Sequence, residues 1–153
     1  MKDFVEIFSA LLTPLIAIVV AYIAWQQYRV QRKMFNRQMY ERRYVVFKAY
    51  MSFLVDIMRD GKLSYQRLGQ FYAEASEANF LFADVIPNKR EELYRRGLEL
   101  AYAHERLYPD DGSPGLPVGE ERTKVAKETG EHLMWFNAQV LEVRKLFQAE
   151  MGI

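Results

Sequence analysis

Side chains able to do acid–base or nucleophilic chemistry are few in this chain of 153 residues. It has no cysteine, which removes thiolate nucleophiles, thiolate metal ligands and disulfides. His104 and His132 are the two imidazoles. Glu128 and His132 stand four apart, a helical spacing that aims two ligands at one metal. No companion pair, HExxH or Glu-x-x-His arrangement completes such a set, so the pair reads as surface charge. His104 neighbours Leu100 and Ala101 and reads as a partly buried, structural histidine. Arg95 and Arg96 are candidates for holding a phosphate, but "KREELYRRGLEL" around them alternates in sign as a solvated helix surface does. There is no glycine-rich phosphate loop, serine elbow or evident carboxylate pair. The residues therefore point away from an enzyme and call for no metal or cofactor.

Charge and hydrophobicity say more. The net charge is +1, yet residues 1–6 sum to −1, residues 29–48 to +6 and residues 49–153 to −4. Charge blocked along a chain in this way implies an anionic surface beside one segment. The basic segment begins at the end of "LLTPLIAIVVAYIAWQQYRVQRK". Residues 7–25 form a run of 19 without a charge, which as a helix reaches about 28 Å, close to the hydrocarbon thickness of a bilayer. Trp25 and Tyr28 follow where an interfacial aromatic belt belongs, with Arg29, Arg32 and Lys33 beside them. Arg37, Arg42, Arg43 and Lys48 extend the basic stretch. Before the run, Lys2 is flanked by Asp3 and Glu6.

By the positive-inside bias, the N-terminus lies outside the membrane and the rest of the chain is cytoplasmic. A cleaved signal peptide carries its basic residues before the apolar region, whereas here they come after it. Pro14 would suit a membrane helix if a hydroxyl such as Thr13 re-satisfied the freed backbone groups; a buried helix of a water-soluble domain is the alternative. The expected anchor covers residues 1–28, with Trp25, Tyr28, Arg29, Arg32 and Lys33 at the interface against an anionic inner leaflet. Nucleic acid is a poor partner for arginines that abut such a run.

Within the run, Ser9, Thr13, Ala17, Ala21 and Ala24 recur at spacings of four, four, four and three, forming a ridge of small side chains. Small ridges let two helix backbones approach in lipid, so the expectation is a homo-oligomer joined through this face.

The elements beyond the anchor follow from helical periodicity and punctuation. No Gly or Pro occurs from residue 15 to residue 60, so a stalk of about 29–60 should continue the span, with Phe35, Met39, Val46, Phe47, Tyr50, Leu54, Ile57 and Met58 as its apolar stripe. Asp60-Gly61 ends it, Ser64 caps the next helix, and Leu63 with Leu68 form a hydrophobic staple. That helix, about 65–82, turns Leu68, Phe71, Tyr72, Ala75, Ala78 and Phe82 to one side. Pro87 breaks the pattern, and Asn88 with Glu91 resembles a capping box opening a helix over 89–108. Leu93, Leu100, Ala101 and Leu107 face inward there. The loop 109–119 packs three Pro and three Gly into eleven residues and is the expected flexible element. A last helix, about 120–150, carries Leu133, Phe136, Val140, Val143 and Phe147 at a three-four repeat. The fold class is all-α, with a transmembrane helix continuing into a stalk and a four-helix bundle-like domain over 29–153.

Ten Tyr and ten Phe are a high count for this length. Most should be core; "ANFLFADVI" is an apolar patch that would serve as a docking surface for a cytoplasmic protein partner if exposed. The segments "RRYVVFKAY" and "ANFLF", within residues 15–107, resemble a widespread group of small, uncharacterised bacterial membrane proteins with one N-terminal span and a cytoplasmic helical domain. The resemblance implies bacterial origin and this topology, and no site residues. Two functions follow as expectations. One is a membrane-anchored, non-enzymatic adaptor or accessory subunit that self-associates. The other is a membrane effector of the phage-defence type, gated by a ligand or partner, whose spans disrupt the bilayer.

Overall fold

A computed structural model describes residues 2–152, with side chains described from Pro14 to Gly152. All regular structure among them is helical: α1 (Lys2–Asp60), α2 (Tyr65–Glu74), α3 (Ala78–Leu81), α4 (Val85–Leu107) and α5 (Glu120–Met151). The chain divides into two compact units, Met1–Tyr40 and Glu41–Ile153. The first is a single helical segment that includes Pro14. Among the described residues, no helix is long and apolar enough to cross a membrane; of the charge-free run over 7–25, only Pro14 onward has described side chains.

The second unit is a helical, bundle-like domain closed by aromatic rings. Tyr50, Phe53, Phe71, Phe136 and Phe147 are all fully or almost fully buried. Phe53 stacks on Phe71 at 4.0 Å between centroids, and Tyr50 meets Phe71 edge-on at 5.3 Å and Phe147 at 5.1 Å. Phe136 approaches Phe53 at 6.1 Å, so one cluster ties α1, α2 and α5. These are the offset and edge geometries that aromatic quadrupoles favour. Burying Tyr50 requires a partner for its hydroxyl, which donates to the Ile86 carbonyl at 2.9 Å and so draws the start of α4 onto α1. That burial pushes the Tyr50 hydroxyl well above its ordinary pKa, outweighing the nearby Arg90 charge.

The punctuation operates as its chemistry dictates at the first turn. Gly61 takes a left-handed φ of 63° and its N–H donates to Ile57 O at 2.9 Å. Ser64 Oγ accepts from Arg67 N at 3.2 Å, and Leu63 and Leu68 are both buried as a staple. Gly97 of α4 lies against that staple: a Cβ there would stand 2.6 Å from Leu68 Cδ1 and 3.1 Å from Leu63 Cδ2.

Two helix boundaries differ from those expected, and the loop is better anchored than expected. The helix over 65–82 is two pieces, because Ser76 N and Ala78 N bond three residues back, to Ala73 O and Ala75 O, and tighten the chain into a turn. Arg90 Nη1 also reaches Ala75 O at 3.4 Å, giving that carbonyl a partner outside the helix. The next helix begins at Val85 rather than about residue 89. Pro87 falls in its first turn, where no N–H is needed, and Asn88 N already donates to Asp84 O at 2.9 Å. Asn88 is therefore helical and no capping box forms with Glu91. The 109–119 loop is tied down: Leu116 packs on Ala103, Leu107 and Val125, its N–H donates to Arg106 O at 3.1 Å, and its carbonyl accepts from Arg122 at 2.7 Å.

Candidate functional site

In the first unit the described side chains are almost all exposed. Leu15, Ile16, Ile18, Val19, Val20, Tyr22, Ile23 and Trp25 are 47–68% exposed, on every side of the helix. Of the small ridge, Ala17, Ala21 and Ala24 lie on this open surface; Ser9 and Thr13 fall outside the described side chains. Trp25 and Tyr28 are exposed, as are Arg29, Arg32 and Lys33. The Arg29 guanidinium sits 5.0 Å from the Trp25 ring centre, and Tyr22 leans on the same ring at 6.2 Å. Aromatic and cation thus form one exposed amphipathic cluster. Further along, Val30, Met34 and Phe35 are 52–62% exposed, so Phe35 does not join a buried stripe.

In the second unit the "ANFLF" patch is divided between core and surface. Ala78 and Leu81 are buried, and Phe82 packs on Phe147 at 5.1 Å beneath the Arg43 guanidinium at 5.3 Å. Phe80 alone of the three large residues points out, 88% exposed. It rides on a single helical turn between Glu77 and Asp84, in which Ala78 and Leu81 face inward. Phe80 is thus a solvated phenyl on the surface of the second unit, with Glu77 and Asp84 close to it in sequence.

The residues with catalytic chemistry are engaged structurally. His104 lies against Tyr108 at 5.4 Å, and His132 Nδ1 is 3.9 Å from Glu99. Arg96 stacks over Trp135 at 5.2 Å and pairs with Glu99 at 3.6 Å. No three His, Cys, Asp or Glu converge on a metal-sized site among the described residues.

Two charged residues were misread from sequence. Lys89 and Arg90 of "KREELYRRGLEL" are 8% and 5% exposed, not solvated. Lys89 Nζ donates to Glu92 and Glu142 at 2.6 Å and to Gln139 at 3.0 Å, bridging α4 and α5. Arg90 pairs with Glu91 at 2.8 Å and lies 4.5 Å from the Tyr72 ring centre. The signal was present in the spacing, since Ile86, Arg90, Leu93, Gly97 and Leu100 form one three-four series on the buried side of α4.

No protein-family model matches the chain, and no curated protein or solved structure matches it. What the coordinates define is a class: an all-α, bundle-like domain preceded by an exposed apolar helical segment.

Proposed function

We propose that this is a membrane-anchored, non-enzymatic helical protein of the bacterial inner membrane, an adaptor or accessory subunit. In this reading residues 7–25 cross the bilayer with the N-terminus outside. Copies associate, and the cytoplasmic domain offers Phe80 to a protein partner. The observation that carries it is the exposure of the apolar side chains in the first unit. Eight such side chains, at on the order of 100 Å² each, amount to roughly 800 Å² of contiguous apolar surface, above the ~300–600 Å² of the largest patch on an ordinary monomer. Lipid is the solvent in which a helix apolar on all sides is stable. The Trp25–Arg29 cluster and the basic residues after it supply the interfacial end, and Ala17, Ala21 and Ala24 allow close helix approach.

Full-length protein should sediment with membranes, resist an alkaline carbonate wash and be released by detergent. Protease added to the outer face of spheroplasts should spare residues 29–153. Recovery in the soluble fraction, or digestion of the domain from outside, overturns the reading.

A further inference from the structure

We infer that a second copy of this chain covers the exposed helix through a parallel coiled-coil seam formed by Ile16, Val20, Ile23, Gln27, Val30 and Met34. The inference rests on the self-association in the reading above and specifies its interface. These six residues recur at spacings of four, three, four, three and four, the 3.5-residue period of a left-handed coiled coil. The five apolar members are each 47–58% exposed.

Lipid alone does not account for them. Val30 and Met34 lie past Arg29, on the charged side of the aromatic cluster, where hydrocarbon no longer reaches. A surface that keeps one apolar period from the span into the basic stretch needs a covering helix of the same period. Copies inserted in the same direction supply one, because equivalent residues then meet across a two-fold axis.

The polar residues agree with that pairing. Gln27 occupies an a position, and a carboxamide both donates and accepts, so it can pair with its own copy where a charge would repel. Arg29 and Arg32 fall at the c and f positions, pointing away from the seam. Ala17 and Ala24 of the small ridge fall at e, flanking the seam and permitting close approach. The same count meets Arg37, Glu41 and Lys48 before and between Tyr44, Met51, Val55 and Met58, so the unbroken run without charge ends at Met34. In the second unit Tyr44, Val55 and Met58 are 40–50% exposed and Met51 is half-buried.

The natural absence of cysteine allows a direct test. Single cysteines at each position from 26 to 38 of the full chain, oxidised in native membranes, should cross-link at Gln27, Val30 and Met34. Their yields should be at least about threefold above those at Arg29, Arg32, Phe35 and Asn36, since disulfides need Cα atoms within about 7 Å. A flat profile, or a maximum on another face, overturns the seam. If no position cross-links while the mass in mild detergent is that of a dimer or larger, the seam is wrong and self-association stands. A monomeric mass overturns both.

Discussion

Replacing Lys89 with methionine probes how α5 is held to α4. The ammonium makes three hydrogen bonds, to Glu92, Glu142 and Gln139, and at about 1.5–3 kcal/mol each for charged partners their sum would be ruinous. Two effects reduce it. The Glu92 and Glu142 side chains are 39% and 51% exposed, so on release they rehydrate, and such solvent-screened pairs contribute only about 0–1 kcal/mol. Desolvation of the ammonium, several kcal/mol, disappears with the charge, while the methionine keeps most of the buried stem. The remaining cost sits on Gln139, 4% exposed, whose side-chain oxygen loses its donor at about 1–3 kcal/mol. The expected loss is therefore about 1–3 kcal/mol, or roughly 4–15 °C in Tm, in thermal unfolding of the full chain in mild detergent followed by circular dichroism. Adding Gln139→Leu removes the orphaned amide and should recover at least about 1 kcal/mol. A double variant as unstable as the sum of its singles would refute the reasoning.

The same pair fixes the pH dependence. The hydrogen bond from Lys89 holds the Glu142 carboxyl below its usual range, against the opposing effect of burial. Its contribution is present above the unfolded carboxyl pKa and is lost as pH falls through the folded one. For Lys89, burial alone would lower the pKa, but hydrogen bonds to Glu142 and Glu92 outweigh it and raise it. That contribution is full below the ordinary lysine value and is lost as pH rises through the folded one. Lys89→Met should flatten both limbs of the stability–pH curve.

Phe80→Ala should leave stability within about 0.5 kcal/mol while Phe53→Ala costs about 3–5 kcal/mol, because one ring is solvated and the other fully buried. A matching loss in both variants would make Phe80 a core residue and remove it as the proposed docking contact. Gly115→Ala should cost about 1–3 kcal/mol, since its methyl would overlap the Leu107 carbonyl and meet Pro109 Cδ at 3.2 Å. Proteolysis within the 109–119 loop should then accelerate as Leu116 is displaced, and unchanged cleavage would show that the loop is not anchored there.

The parts of the fold legible in the sequence were those fixed by neighbours along the chain. Gly61 ends α1 and Ser64 starts α2 through bonds to residues three or four positions away, and such bonds are written in local residue types. The break after Glu74 was not legible, because one of the two donors to the Ala75 carbonyl, beside the local turn bond, is Arg90, fifteen residues on. The "ANFLF" patch was legible only in part, for a related reason. Composition marked the segment as apolar, but which of its rings faced out depended on Phe147 and Arg43, which cover Phe82 and leave Phe80 in solvent. Lys89 and Arg90 were hidden by sign alternation, which is the same for a solvated surface and for a buried charge whose partners arrive from another helix.

Within the second unit, α1 carries two apolar sets, and their difference bears on what the domain leaves undone. Val46, Tyr50, Phe53 and Ile57, at spacings of four, three and four, are buried against the domain's own rings. Tyr44, Val55 and Met58 lie on another side and stay 40–50% exposed. On α5, Met134 and Leu141 are likewise 72% and 62% exposed while Phe136 and Val143 are buried. A domain that closes five aromatic rings to 2% exposure or less has enough apolar surface for its own core. Residues of the same chemistry left open on the same helices are then surplus to folding. Under the proposed self-association, that surplus on α1 is apolar surface a second copy would cover.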